Sequence, residues 1–180
     1  MAINIIGITN ENEFYTHHYL SAILENDLKD IFKEWKRKED DEGVPQPFIE
    51  IRGLRKEFFD MHSRLEREKN INERLNLQRD FQNKLLAALG YEPQSQMVEL
   101  DDGGNIPLIG GINKDDGSPD LWIIEAVNIY EEEADPLKAN LFAEQYPVDN
   151  EIKQILDFSL EDLITRQVYG RTEPPRWVIL

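Results

Sequence analysis

The sequence predicts a mixed α/β protein of the α+β type, with helices in its first half and a sheet in its second half. Up to Gly90, apolar residues recur every three or four positions, which is typical of amphipathic helices. Beyond Gly90 they form short runs between turns rich in Gly and Asp, which is typical of strands. Residues 1–90 carry 17 acidic and 14 basic side chains, whereas residues 91–162 carry 18 and 3. We therefore expect a helical subdomain over residues 1–90 and a mixed sheet with one helix over residues 91–180.

The first predicted helix is amphipathic. Asn10 and Glu13 have the spacing of a capping-box variant ahead of it. It should end in a charged run before Gly43, because Gly and Pro residues follow that run. The residues on its apolar face are Leu20, Leu24, Leu28, Ile31 and Trp35.

Two further helices complete the predicted helical subdomain. The second carries apolar residues at helical spacing over residues 51–65, and the third covers about Asn72 to Leu89. Gly90 then stands where a left-handed C-cap belongs. We expect the third helix to pack on the sheet that follows.

A β-hairpin is predicted directly after the helices. Residues 96–100 form its first strand, residues 101–104 supply a turn with two glycines, and residues 106–109 form the partner strand. Pro107 has no N–H to give to a ladder. The partner strand should therefore be short and lie at an edge of the sheet.

The remaining elements are a strand, a long loop, a helix and a final strand. Residues 121–127 form an apolar run bounded by turn signals, which is typical of a strand buried on both faces. Residues 131–149 are acidic and contain two prolines, so most of them should be loop. A helix is predicted over residues 159–169, with Gly170 as its cap. Since chain ends are usually polar, the apolar residues 177–180 predict a strand and indicate a piece of a longer polypeptide.

Composition excludes several classes of function. The 180 residues carry 36 acidic and 20 basic side chains, a net charge of −16, which argues against a free-standing DNA-binding module. The absence of cysteine excludes disulfides, thiolate metal sites and cysteine nucleophiles. No apolar run approaches the roughly 18–20 residues of a membrane span, and nothing resembles a signal peptide. We expect a cytoplasmic protein without a membrane partner.

The order of elements from residue 72 onward resembles the αβββαβ core of PD-(D/E)xK nucleases. In that fold, acidic residues on two strands hold Mg²⁺ and a lysine positions the attacking water. Here Asp120 and Glu125 are the candidate catalytic acids, but the lysine position holds Val127. Their odd spacing puts the two acids on opposite faces of one strand. The resemblance therefore implies a degenerate nuclease-like core, incomplete at its C-terminal end, with no metal expected in this chain.

A basic cluster at the junction of the second and third helices has two interpretations. Acidic residues are interleaved with it, so a solvated surface of mixed charge is one interpretation. The other is a contact to a DNA backbone or a docking surface for the rest of the polypeptide. The candidate contact residues are Arg64, Arg67, Lys69 and Arg74.

Scattered stretches along most of the chain match one family. They are Asn10–Tyr15, His18–Leu20, Leu24–Leu28, Arg52–Leu54, Leu85–Leu86, Leu89–Tyr91, Pro119–Ala126 and Pro174–Leu180. In these stretches the chain resembles the N-terminal region of bacterial restriction-modification proteins of the type IIG-like class, in which an adenine-specific DNA methylase is fused to a nuclease-like domain. The family's S-adenosylmethionine loop and Asn-Pro-Pro-Tyr motif, which act on a flipped adenine, do not occur in these 180 residues.

The resemblance implies the N-terminal, non-methylase domain of a restriction-modification DNA methyltransferase that supports DNA binding or domain assembly. Its partners would be the downstream methylase and target-recognition domains, and DNA. This fragment would need no cofactor, whereas the full-length protein would use S-adenosylmethionine and Mg²⁺. Two alternatives stay open. One is an active Mg²⁺-dependent restriction nuclease whose third ligand is Glu99, Asp101 or Asp102. The other is an acidic module that imitates DNA and binds a basic groove.

Overall fold

The computed structural model describes residues 15–92, 94–127 and 135–180. The predicted capping pattern of Asn10 and Glu13 lies outside these residues. The chain divides into two compact units, Met1–Glu50 and Ile51–Leu180, and each is described here by itself. The subdomain boundary predicted near residue 90 stays a prediction.

The described part of the first unit is helical. A π-helical turn over Tyr19–Ile23 leads into α1 (Leu24–Asp27), and α2 (Lys29–Glu42) follows after a break at Leu28. Gly43 ends α2 in the left-handed conformation, with φ 69°, and its N–H donates to the Glu39 carbonyl at 3.1 Å. The predicted end of this helix is therefore confirmed, although the helix has a break that the sequence pattern does not reveal.

Helices α3 (Pro47–Gly53), α4 (Arg55–Leu65) and α5 (Ile71–Ala88) follow. The predicted second helix is thus divided between α3 and α4. The predicted third helix is confirmed within one residue at each end. Asn70 is its N-cap, and its side-chain oxygen accepts the Asn72 N–H at 2.9 Å. Gly90 adopts the predicted left-handed conformation, with φ 84°.

The second unit contains a four-stranded mixed sheet in the order β1-β2-β3-β4. Its strands are β1 (Gln96–Glu99), β2 (Asn105–Asn113), β3 (Pro119–Ile124) and β4 (Trp177–Ile179). The first three are antiparallel, and β4 runs parallel to β3. A parallel pair needs a crossover connection. Helix α6 belongs to that crossover and comprises Leu160–Asp162, continued by a π-helical segment over Leu163–Val168.

The helix predicted over residues 159–169 is confirmed, but the predicted role of Gly170 is wrong. Ser159 is the N-cap, and its Oγ accepts the Asp162 N–H at 3.2 Å. Gly170 is not among the glycines with positive φ. A side chain there would instead meet the backbone, because a Cβ at Gly170 would lie 2.1 Å from the Arg166 carbonyl oxygen.

The predicted edge position of the second hairpin strand is also wrong. Strand β2 lies between β1 and β3 and is longer than predicted. Leu100 donates its N–H to the Gly104 carbonyl at 2.6 Å, so these two residues form a hydrogen-bonded pair. Pairs alternate along an antiparallel ladder, and the Met97–Pro107 pair therefore exchanges no hydrogen bonds. The backbone nitrogen of Pro107 thus faces β3. Its lack of a hydrogen leaves the β1–β2 ladder intact.

Strand β3 is buried on both faces, as predicted. Trp122 and Ile124 belong to a core cluster that also contains Leu160 and Leu163 of the crossover helix. The alternate residues of β3 belong to a second cluster, which consists of Leu86 from α5, Ile109, Leu121 and Ile123. The sheet therefore separates α5 from α6, and residues of β3 pack against both layers.

A candidate site at the end of strand β3

The candidate acid Glu125 follows the last residue of β3 directly. Glu125 is only 5% exposed. Leu108 pairs with Ile124, which puts Pro107 opposite Glu125. The Glu125 N–H donates to the Pro107 carbonyl at 3.2 Å. The backbone thus holds this carboxylate at the point where the β2–β3 ladder ends.

Arg79 of α5 binds the Glu125 carboxylate with two nitrogens. Its Nε donates to one carboxylate oxygen, and its Nη2 donates to the other at 2.7 Å. Such a two-pronged pair matches the planar guanidinium to the planar carboxylate. The hydrogen bond to Glu125 raises the pKa of the Arg79 guanidinium above its ordinary value, so the guanidinium keeps its positive charge.

Gln145 completes the site from the other side. It ends a 3-10 turn over Ala143–Gln145 and is 3% exposed. Its Nε2 donates to the Glu125 backbone carbonyl at 2.7 Å and lies 3.3 Å from the carboxylate Oε2. Its own Oε1 accepts the Phe142 N–H at 2.8 Å. Every polar atom of this buried amide side chain therefore has a partner.

Pro107 explains why Gln145 is needed. In an ordinary antiparallel pair, the residue opposite Glu125 would donate an N–H back to the Glu125 carbonyl. Proline has no N–H, so this buried carbonyl would be left without a donor. The Gln145 amide supplies that donor. The end of β3 is therefore closed by a side chain in place of a ladder hydrogen bond.

Arg79 and Gln145 hold the Glu125 carboxylate in place and leave it few lone pairs for another partner. Both oxygens of Glu125 accept from Arg79, and one also lies near Gln145. A cavity of about 390 Å³ borders this site, with Arg79, Glu125 and Gln145 in its wall. Val127, at the position where the sequence resemblance would call for a lysine, is buried and has no polar side-chain atom.

Asp120 and Glu125 are not brought together. Asp120 lies at the beginning of β3, is partly buried, and shares the face of Trp122 and Ile124 by strand alternation. Glu125 shares the opposite face, with Leu121 and Ile123. In the part of the chain that the structure describes, no group of three or more His, Asp or Glu residues has the arrangement of a metal site.

The candidate contact residues at the α4–α5 junction divide into two kinds. Arg64, Arg67 and Lys69 are exposed, and within the described residues none of these three side chains forms an ion pair. Arg64 and Arg67 line a shallow groove of about 660 Å³ whose wall also contains Asp60, Glu68 and Glu73. Both signs of charge are therefore present at this surface.

Arg74 is buried and serves the fold. Only 8% of the residue is exposed. Its Nη1 donates to the carbonyls of Leu65 at 2.5 Å and of Glu68 at 2.8 Å. Leu65 is the last residue of α4, where intrahelical donors are missing, and Glu68 lies in the connection to α5. The Arg74 guanidinium thus joins the end of α4 to the beginning of α5 and is not presented at the surface.

Sequence reasoning names Glu125 as a candidate but does not name the residues that bind it. Arg79 lies four residues after Leu75 and seven before Leu86, both of which are buried. That helical spacing is a signal that Arg79 lies on the sheet-facing side of α5. Gln145 gives no comparable signal, because a lone glutamine in an acidic loop has no distinctive pattern.

Comparisons with known proteins do not assign this chain to a family. None of the described helices is both long and apolar enough to cross a membrane. No protein-family model matches the chain, and no curated protein or solved structure matches it significantly.

Proposed function

We propose that this chain is the N-terminal, non-methylase region of a bacterial restriction-modification DNA methyltransferase and that it supports DNA binding or domain assembly without cutting DNA. The single observation that carries the proposal is the state of Glu125. By the sequence resemblance this residue corresponds to a nuclease motif acid, and Arg79 and Gln145 hold it as part of the fold. The methylase and target-recognition domains would be its partners in the same polypeptide.

The element order supports the relation to restriction nucleases. From α5 onward the chain has a helix, three antiparallel strands, a crossover helix and a parallel fourth strand. This order agrees with the αβββαβ resemblance of the sequence. Fold order alone does not carry activity, since one fold hosts many functions. The function of the core must therefore be argued from the residues of the site.

The site supports a role without cleavage. A carboxylate that binds Mg²⁺ needs lone pairs directed at the ion. Those of Glu125 are directed at the Arg79 guanidinium, whose positive charge also opposes the binding of a cation nearby. Val127 lacks the amine that would position a water. The geometry thus favours a nuclease-like core that has kept its structure and serves as a scaffold.

An active nuclease would need a different arrangement of carboxylates. Its third ligand would come from the hairpin, where Asp101 and Asp102 already take part in turn structure. Asp102 Oδ1 accepts the Gly104 N–H at 2.9 Å, and Asp101 Oδ2 accepts the Thr172 N–H at 3.0 Å. A plasmid-nicking assay with Mg²⁺ or Mn²⁺, with and without chelator, tests this alternative. Chelator-sensitive nicking that is lost in Glu125→Gln would overturn the non-cleaving role.

Deletion in the longer polypeptide tests the main proposal. We expect the coding sequence beyond Leu180 to contain an Asn-Pro-Pro-Tyr motif. We further expect that removal of residues 1–180 lowers DNA methylation, DNA cleavage or soluble yield, and that adding the separate chain restores part of the loss. Absence of the motif, or a deletion that leaves all three readouts unchanged, would overturn the proposal.

The cofactors expected for the full-length protein are part of the same proposal. S-adenosylmethionine and Mg²⁺ would be bound by the domains that carry methyl transfer and cleavage, not by this chain. Addition of S-adenosylmethionine should therefore leave the thermal unfolding of residues 1–180 unchanged, because a ligand stabilises only a fold that binds it. A rise in the unfolding temperature would place a cofactor site in this chain.

A further inference from the structure

Helix α4 directs an aromatic ring toward solvent. Phe59 is 55% exposed. Phe58 packs edge-on against it with 5.5 Å between ring centroids and also contacts Phe81 of α5 at 5.7 Å. The Arg55 guanidinium lies over the Phe59 ring, 5.8 Å from its centroid. Phe59 is thus held at the surface by neighbours and not covered by them.

Three cationic residues lie on the same side of the helix as this ring by helical spacing. Residues three and four positions apart are neighbours on a helix surface. By this spacing Arg55, Lys56, Phe59 and Ser63 share one side of α4, and Arg67 follows in the turn after it. All five are exposed. We name these five residues the basic–aromatic face.

The acidic residues of α4 are partly engaged elsewhere. Glu57 pairs with Lys84 of α5. Glu66 lies 3.6 Å from His62. Asp60 is exposed and contributes one negative charge beside the face. Within the described residues, Arg55, Lys56 and Arg67 form no ion pairs, so their charges are directed to solvent.

The local charge differs in sign from that of the two segments that flank it. Residues 51–90 carry 9 basic and 6 acidic side chains, a net charge of +3. Residues 1–50 carry 5 and 11, and residues 91–162 carry 3 and 18. Two of these nine basic residues, Arg74 and Arg79, are engaged in the fold, so the exposed cations of α4 are the ones available to a polyanion, which the two flanking segments repel.

We propose that the basic–aromatic face binds single-stranded DNA. The cations contact phosphates, and the exposed Phe59 ring stacks on an unpaired base, which is how proteins bind single strands without sequence preference. The bases of a duplex are stacked on one another and cannot reach this ring. The inference rests on the proposed function, because a methylase that flips a base works on locally opened DNA. An acidic protein segment would use the same cations but would not need the ring.

Fluorescence anisotropy of a labelled oligothymidylate with the full 180-residue chain tests this inference. At low salt we expect binding that Arg55→Ala/Lys56→Ala/Arg67→Ala weakens tenfold or more, with a shallower salt dependence. Phe59→Ala should weaken binding on the order of tenfold while the salt dependence stays the same. Phe59→Tyr keeps a stacking ring and should bind like the original chain.

Matched controls separate the face from charge in general. Lys36→Ala/Lys38→Ala/Lys114→Ala removes three exposed cations elsewhere and should leave binding within about twofold. Equal losses in both triple variants, or no binding at low salt, would overturn the inference. Binding of polyglutamate that depends on the same cations but not on Phe59, with no binding of the oligonucleotide, would assign the face to an acidic protein instead.

A pair of measurements in the longer polypeptide distinguishes this inference from the proposed function. Methylation and cleavage are measured both for the deletion of residues 1–180 and for the Arg55/Lys56/Arg67 triple variant. If the deletion lowers either activity and the triple variant does not, the proposed function stands and the DNA-binding face is wrong. If the isolated chain binds the oligonucleotide through this face but the deletion has no effect, the reverse holds.

Discussion

Arg79 on α5 and Glu125 after β3 form a two-pronged ion pair across a sequence separation of 46 residues. The pair joins the helix that covers one face of the sheet to the strand at its centre. The Glu125 side chain is 6% exposed and that of Arg79 is 38% exposed. The carboxylate is therefore the member that depends on its partner, because it has little access to water.

Removal of the arginine should destabilise the fold more than removal of both partners. We expect Arg79→Ala to lower the free energy of unfolding by about 2–4 kcal/mol, below the largest values for buried pairs because Arg79 is partly solvated. Arg79→Met combined with Glu125→Leu should lose less, since no unpaired charge remains. Urea denaturation of the single and double variants measures the coupling.

Arg67 supplies the control for this cycle. It is exposed and forms no ion pair within the described residues. Arg67→Ala should change the free energy of unfolding by less than about 0.5 kcal/mol. Additive losses for the Arg79 and Glu125 variants would contradict the conclusion that the two residues act as one unit.

Tyr146 should make the stability fall at high pH. Its ring is buried, and its hydroxyl donates to the Asn105 carbonyl at 3.0 Å and accepts the Ile155 N–H at 3.2 Å. Burial raises the pKa of Tyr146 above its ordinary value of 10.0. The folded protein thus holds this proton more tightly than the unfolded chain. This contribution to stability is complete below about pH 10 and is lost as the pH rises through the raised pKa.

Urea denaturation at about pH 8 and about pH 11 checks this sign. Tyr146→Phe should lose about 1–2 kcal/mol at the lower pH, because it removes hydrogen bonds to buried backbone groups. It should also show a smaller decrease between the two pH values than the original chain. Tyr169→Phe, at an exposed position, serves as the control. A decrease that Tyr146→Phe leaves unchanged would assign the pH dependence to other groups.

Local chemistry explains which features could be predicted from the sequence. Gly43 and Gly90 end helices in the left-handed conformation. Each signal lies within a few residues of the structure it determines. The order of helices and strands can likewise be predicted, because each element has its own local hydrophobic period. The interior position of Pro107 is different, because it depends on two distant features. The hairpin turn determines which residue pairs of the ladder exchange hydrogen bonds, and Gln145, 38 positions further along the chain, supplies a donor. No local pattern contains that information.

A glycine can be required by a left-handed backbone conformation or by lack of space for a side chain, and Gly170 allows these two reasons to be distinguished. Its φ is not in the left-handed region, so a side chain would not be excluded by backbone conformation. A Cβ would nevertheless lie 2.1 Å from the Arg166 carbonyl oxygen. We expect Gly170→Ala to lower the free energy of unfolding by about 1–3 kcal/mol through this contact.

Gly43 is the matched comparison for Gly170. Its φ is 69°, and nothing lies within 4 Å of a Cβ built there. Gly43→Asn should therefore be tolerated, because Asn accepts the left-handed conformation. Gly170→Asn should be at least as harmful as Gly170→Ala. Thermal unfolding of these variants decides, and equal tolerance of Asn at both positions would refute the steric explanation for Gly170.

The substitution of a ladder hydrogen bond by Gln145 can be tested by restoring the ladder. Gln145→Ala leaves the buried Glu125 carbonyl without its donor and should cost about 1–3 kcal/mol. Pro107→Val supplies an N–H that points at the same carbonyl, since Pro107 stands opposite Glu125 in the β2–β3 register. In a Pro107→Val background, Gln145→Ala should therefore cost less than in the original chain. The double-mutant cycle is measured by urea denaturation, and hydrogen exchange of the backbone amide introduced by Pro107→Val reports whether its N–H is bonded. Strict additivity together with rapid exchange of that amide would mean that Gln145 does not replace a ladder donor, and that the end of β3 is stabilised by the Arg79 contact alone.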